Sequence, residues 1–432
     1  MVPPDGSAAM NSATLAKGLS PTRVVLDNGI VILAQESRGT PAVAVNATFH
    51  AGSVDDPPAL PGVAYLTRRT IDRGTVQRSA TDIADALDDR GVSLRVAVAR
   101  HTFTISCVCL TEDFSDILAL VADIGRHPMF PEEEIDKRRL EAITSVREAQ
   151  DDPSRVAVDL VHAQLYGASH PYGRPIKGTV GSLEAIGREH LVGFHNRYLV
   201  PSALRLAVAG DVSPSTVLAC SARVFEGWRG FDRPQEPVAP PPSRTGRSFR
   251  AKHMPGKSQA DIGYGFTSVR RLDPRYNAYW IMNNVLGQFG LGGRLADNIR
   301  ERQGMAYYAY STMESTEAEG PLVIRAGVDP NDVERAIEAI DAEVQALRDG
   351  GPTIDELEDT REALIGSIPR MFETNESIAE FLQHAEQFGL GLDYDRRLPA
   401  LIRAVTMDDV REAARGVLDP GRAAVAVAGP RP

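Results

Sequence analysis

The chain follows one order of apolar patterns and then follows it again about 220 residues later, and any fold has to accommodate that repetition. Residues 102–110 read as a strand, and Phe114, Ile117, Leu118, Val121 and Ile124 then recur with the 3.6-residue period of a helix that buries one face. In the second part, residues 322–328 precede Val333, Ala336, Ile337, Ile340, Val344 and Leu347 in the same way. The stretch from Pro131 through Glu141 to Ser145 is matched by the one from Pro352 through Glu362 to Gly366. Each part closes with a helix and a short apolar strand, residues 204–210 in one and 423–429 in the other. An offset that holds over so many elements implies a duplicated unit.

The unit mixes strands with long helices. The first part opens with strand-like residues 23–26, an Asp27-Asn28-Gly29 turn and a second strand over 30–35. Asn-Gly favours such a hairpin because both residues tolerate positive φ. Strands with segregated helices predict an α+β fold of two homologous domains, each a mainly antiparallel sheet with helices packed on it. Residues 231–246 are Pro-rich and poor in apolar side chains, as an extended linker would be. The expected organisation is a flexible stretch over 1–20, a first domain over 21–230, the linker over 231–246 and a second domain over 247–432. Two such domains on one linker can face each other as a clamshell.

A length of 432 residues with 43% hydrophobic and 24% charged residues fits a soluble globular protein of more than one domain. A net charge of −11 argues against a general binder of nucleic acid or anionic membrane. The polar N-terminus shows no secretory signal, and no run is long and apolar enough to span a bilayer. Cys107 and Cys109 alternate in an apolar strand and read as buried hydrophobes. With Cys220 they make an odd count, so a reducing cytoplasm is the expected location.

The stretch 51–75 carries a Gly62-Val63-Ala64 element and, ten residues on, Gly74-Thr75, with Tyr65, Arg68 and Arg69 between them. It resembles the N-terminal active-site region of the pitrilysin/insulinase zinc peptidases. In that family an inverted H-x-x-E-H motif lies at this place: two histidines one helical turn apart ligate Zn²⁺ and the Glu activates its water. Here a phenol and two guanidiniums stand at those positions, and arginine offers no lone pair to a metal. The resemblance places the family's third ligand at Ser145, just ahead of Asp151-Asp152-Pro153, and a supporting Glu at Arg138. No zinc site is expected at Tyr65, Arg68, Arg69, Arg138 and Ser145. Among the nine histidines, His190 and His195 are spaced by five, about 140° apart on a helix, and His162 and His170 lie in another family-like segment. All four read as structural or surface histidines.

The second part matches the family's other signature over residues 292–311, with Arg300 and, seven residues on, Tyr307. The resemblance implies that this pair reaches a catalytic zinc, the tyrosine donating to the oxyanion and the arginine forking onto substrate. Locally, Arg300 is equally a solvated helix end stopped by Gly304, and Tyr307 one aromatic of the group Tyr307, Tyr308 and Tyr310. The resemblance thus implies the non-zinc subunit of a heterodimeric metallopeptidase, inactive alone, with no cofactor of its own. Zinc is expected in a homologous partner subunit that hydrolyses peptides, and Arg300 and Tyr307 supply transition-state and substrate contacts. A homodimer and an inert scaffold or peptide-binding protein of the same fold are the alternatives.

Overall fold

The computed structural model describes residues 18–230, 232–233, 237–288 and 292–431. The flexible stretch expected up to residue 20 thus lies outside the described residues as far as residue 17, and so do positions 231 and 234–236 of the linker. The first half builds a six-stranded sheet from β1 (Thr22–Val25), β2 (Val31–Glu36), β3 (Ala42–Phe49), β4 (Arg95–Val98), β5 (Phe103–Leu110) and β6 (Leu204–Gly210). Its order is β1-β2-β6-β3-β5-β4. The second half builds a five-stranded sheet from β7 (Ser248–His253), β8 (Ala260–Thr267), β9 (Ala306–Met313), β10 (Pro321–Val328) and β11 (Ala424–Gly429). Its order, β7-β11-β8-β10-β9, is that of the first sheet without β1. In both, the closing strand pairs in parallel with the opening one (β6 with β2, β11 with β7) and all other pairings are antiparallel. The duplication and the α+β class expected from the sequence are therefore present, strand for strand.

The Asn28-Gly29 turn joins β1 to β2, with Gly29 at φ 87°. Cys107 and Cys109 are both buried on one face of β5. One face of each sheet packs against helices of its own half, Phe114–Arg126 in the first and Val333–Gly350 in the second.

The other face is covered by the opposite half. Val31, Leu33, Ala44, Ala207 and Ala209 of the first sheet pack against Ile378, Ala379 and Leu382 of the second half's helix Asn375–Gln387. Val323, Ala424 and Ala426 of the second sheet pack against Val158, Val161 and Leu165 of the first half's helix Pro153–Tyr166. Asp152 caps that helix by accepting from Ser154 N at 3.0 Å, and Pro153 sits at its first position, where no amide proton is needed. The Asp-Asp-Pro element is therefore the corner that sends the helix across to the other sheet. Polar contacts tie down the reciprocal helix: Asn375 donates to Ala42 O at 2.9 Å, and Arg23 forks onto Glu386 at 2.8 and 2.9 Å. The linker segment follows the same seam, with Arg233 on Asp55 at 3.0 Å and Arg244 donating to Gln164 O at 2.6 Å.

Glycines in β8 let the crossing helix lie close. A Cβ at Gly265 would stand 2.3 Å from Val161 Cγ1. Gly265→Ala is expected to lower stability in chemical denaturation by about 1–3 kcal/mol through overpacking. Adding Val161→Ala should recover part of that loss; strictly additive losses would mean that the two positions do not meet.

Candidate functional site

Helix Val63–Thr70 presents Tyr65, Arg68 and Arg69. Its entry is fixed by Gly62 at φ 102°, where a Cβ would meet Lys177 O at 2.9 Å, and by the buried Asp56 carboxylate, which accepts from Gly62 N and Ala64 N at 2.7 Å each. Tyr65, Arg68 and Arg69 share one face because positions three and four apart line up on a helix. That face meets helix Glu132–Gln150, which carries Arg138 and Ser145.

The structure thus brings all five of these positions into one polar cluster. Arg69 donates to Glu141 at 2.5 Å and to the Tyr65 hydroxyl at 3.4 Å. Arg138 donates to the same Glu141 at 2.8 Å, and Lys177 to Ser145 Oγ at 2.8 Å. Arg68 donates to Val96 O at 2.8 Å, with its guanidinium 5.0 Å from the Tyr65 ring centre. Glu141, one turn before Ser145, is a carboxylate that sequence matching alone did not single out. Arg138 and Arg69 hold it below the usual carboxylate range. Burial works to raise the Tyr65 phenol, but hydrogen bonding from Arg68 and the charge of Arg69 outweigh it and hold it below its usual value. Carboxylates already paired with guanidiniums (Glu141, and Glu134 at 3.4 Å from Arg138), with no imidazole grouped with them among the described residues, do not fit Zn²⁺.

Beside the cluster lies a cavity of about 420 Å³ between the halves. Its described lining includes Arg68, Arg95, Arg100, Arg155, Arg174, Lys177 and Arg325, against the carboxylates of Asp159 and Glu314. Arg100 donates to His162 Nδ1 at 2.9 Å, which leaves the ring proton on Nε2, where it has no partner. The chamber is therefore rich in donors and positive charge.

A second cavity of about 970 Å³ opens on the same seam, lined from both halves. On its wall His50, His101 and Glu317 bring one donor atom each within 4.8 Å of one another. Burial pushes His101 down to about 4. The three residues are far apart in sequence, so spacing gave no signal for them.

Arg300 and Tyr307 stand apart from both cavities. Arg300 lies in the irregular helical segment Ala296–Arg302, which Gly304 ends at φ 64°. Its side chain is 45% exposed and pairs, among the described residues, with the adjacent Glu301 at 3.4 Å. Tyr307 lies on β9, the edge strand of its sheet, and is 70% exposed. Its neighbour Tyr308 turns inward, donating to Asp261 and accepting from Ser154 Oγ at 3.1 Å. Among the described residues, no hydrogen bond or ion pair joins Arg300 or Tyr307 to the cluster around Tyr65.

Two family models match the chain: one described as insulinase, peptidase family M16, over residues 31–180, and one described as the peptidase M16 inactive domain over residues 185–364. An uncharacterized zinc protease of Streptomyces coelicolor is 28% identical over 99% of this chain and 94% of its own. One from Bacillus subtilis is 26% identical over 82% and 85%. A crystal structure described as a peptidase M16 inactive domain from Pseudomonas fluorescens superposes with a TM-score of 0.89 at 25% identity, covering 95% of this chain and 98% of that one. A protease from Helicobacter pylori shares the fold, with a TM-score of 0.88 at 17% identity over 95% and 99%.

Histidines held below their usual range, His162 and His195 together with His101 and His384, generate a pH dependence. Burial, with Arg100 adding to it, pushes His162 down to about 3, and burial lowers His195 as well. In an unfolded chain a histidine titrates near 6.5. Below about pH 6.5 the unfolded chain therefore takes up protons that the folded one refuses, so stability is full above that pH and falls towards pH 4. The melting temperature should follow that course, and His162→Gln should make the fall shallower; an unchanged slope in the variant would remove His162 from the account.

Proposed function

The chain belongs to the insulinase (M16) family of peptidases, and on that premise we propose that it is the non-zinc subunit of a two-chain metallopeptidase. A homologous partner bearing the intact zinc motif supplies the hydrolytic step. Arg300 and Tyr307 of this chain supply contacts to its substrate and transition state. The observation that carries this reading is the outward placement of the pair. Arg300 and Tyr307 are open to solvent on the second half, away from the arginine-filled cluster of the first. A tyrosine so exposed on an edge strand is available to another molecule, and its hydroxyl can donate to a developing oxyanion there. The exposed guanidinium can fork onto a peptide carbonyl or carboxylate. Neither group activates water, so the chain alone should not cleave peptides. No helix among the described residues is long and apolar enough to cross a membrane.

A second reading, a peptide-binding protein without a catalytic role, is supported by the cationic chamber. A donor-rich cavity of that size suits a short acidic segment or a chain-terminal carboxylate.

Peptidase assays separate the two. The chain alone should be inactive and a mixture with the zinc-motif partner active. Tyr307→Phe should lower the mixture's turnover by about 100-fold, the scale for losing one oxyanion donor, with the complex still formed. A complex that forms and cleaves equally well with Tyr307→Phe would leave the peptide-binding reading in its place.

A further inference from the structure

The hairpin joining β4 to β5 and the one joining β9 to β10 are counterparts in the two halves, and their tips meet at the seam. Arg100 and His101 stand on the first tip, and Glu314, Thr316 and Glu317 on the second. His50 follows directly on β3 and reaches the same point: its Nε2 lies 2.7 and 2.8 Å from the two carboxylate oxygens of Glu317. His101 Nδ1 lies 3.5 Å from Glu317 Oε2.

Two proton arrangements around His101 suit its neighbours. Its Nε2 is 2.6 Å from the hydroxyl of the fully buried Tyr172. The Tyr172 hydroxyl also makes a short bond to Thr316 Oγ1, and Thr316 donates its own proton to Ala318 O at 3.2 Å. With Tyr172 donating to Thr316 and accepting from His101 Nε2–H, the His101 Nδ1 lone pair faces Glu317 and is free to take a cation; in the other tautomer Nδ1–H donates towards Glu317 instead.

From this geometry we propose that His50, His101 and Glu317 bind a divalent transition-metal ion of the Zn²⁺ kind, which clips the two halves together. Two imidazoles and one carboxylate are ligand types that zinc takes, and all three line the large cavity. The outer contacts are those a metal site needs. Tyr172 orients His101 through its second nitrogen, and Gln387 donates to Glu317 Oε1 at 3.3 Å. An ion at about 2.0–2.1 Å from each ligand spaces tetrahedral ligand atoms about 3.3 Å apart. The His101–Glu317 separation already matches, and the His50–Glu317 contact has to open by about half an ångström. Both side chains have that freedom, being 24% and 31% exposed. The Arg233 guanidinium on the cavity wall is paired with Asp55 at 3.0 Å, while Arg100 and Arg205 add positive charge that the carboxylate of Glu317 offsets. The site is independent of the residues at 65, 68 and 69 and of any zinc in a partner chain.

The test uses the full chain without a partner, dialysed free of metal and titrated with Zn²⁺ by calorimetry, with metal content measured after gel filtration. One ion per chain should be retained. Glu317→Gln, which keeps the side-chain shape, and His101→Ala should each weaken binding at least tenfold, while the exposed His253→Ala should bind as the parent does. Co²⁺ in the unmutated chain should give the intense visible bands of a low-coordinate nitrogen–oxygen site, which keeps the test independent of how well the variants fold. No retained ion, equal affinity in Glu317→Gln, or only the weak bands of six-coordinate Co²⁺ would overturn the proposal.

Discussion

Each half of this chain leaves one face of its sheet for a helix of the other half to cover. Strand β2 shows the constraint in miniature: Ile32 and Ala34 face the core of the first half, while Val31 and Leu33 meet Ile378, Ala379 and Leu382. Strand β11 repeats it, with Val425 and Val427 turned inward and Ala424 and Ala426 under helix Pro153–Tyr166. A fully buried aliphatic side chain contributes about 1.5–3 kcal/mol, so separating the halves would expose two such interfaces at once. The exchange brings the counterpart hairpin tips together and encloses the seam cavities. The chain is thus one closed body although its sequence divides in two.

Within that body the helix that presents residues 65, 68 and 69 is firmly placed, and the side chains it presents do not suit a zinc ion. Gly62 and Asp56 set the helix that bears residues 65, 68 and 69, and Asp152-Pro153 turns the chain after Ser145. The side chains presented there form a phenol–guanidinium–carboxylate cluster whose positive charge would repel a metal ion. Paired guanidiniums satisfy Glu141, while Arg155 and Arg325 face the chamber next to it. The chamber beside the cluster is polar and cationic, in keeping with the proposed role in holding peptide or partner.

Much of the fold was legible because duplication doubles every signal. A strand at residues 102–110 read in isolation is a short apolar run; its counterpart some 220 residues on turned the pattern into an architecture. The Asn28-Gly29 hairpin and the shared face of Cys107 and Cys109 follow from local rules of turn chemistry and alternation. The helix exchange was not legible, because the periodicity of helix Pro153–Tyr166 says that one face is buried and not against which sheet. The grouping of Tyr65, Arg68, Arg69, Arg138 and Ser145 came from a family motif, whereas Glu141 emerged only when two helices were seen side by side. His50, His101 and Glu317 lie on three separate loops, and only the closed seam makes them neighbours. Sequence spacing registers contacts within an element, and these contacts are made between halves.

The central claim is that Tyr307 acts on substrate held by another chain. The most direct measurement places a photoreactive phenylalanine analogue at position 307 and crosslinks in the presence of the zinc-motif partner and a labelled, slowly cleaved peptide. The account predicts partner-dependent labelling of the peptide and of the partner's zinc-site segment. Crosslinks confined to this chain itself, with peptide and partner both present and bound, would contradict it.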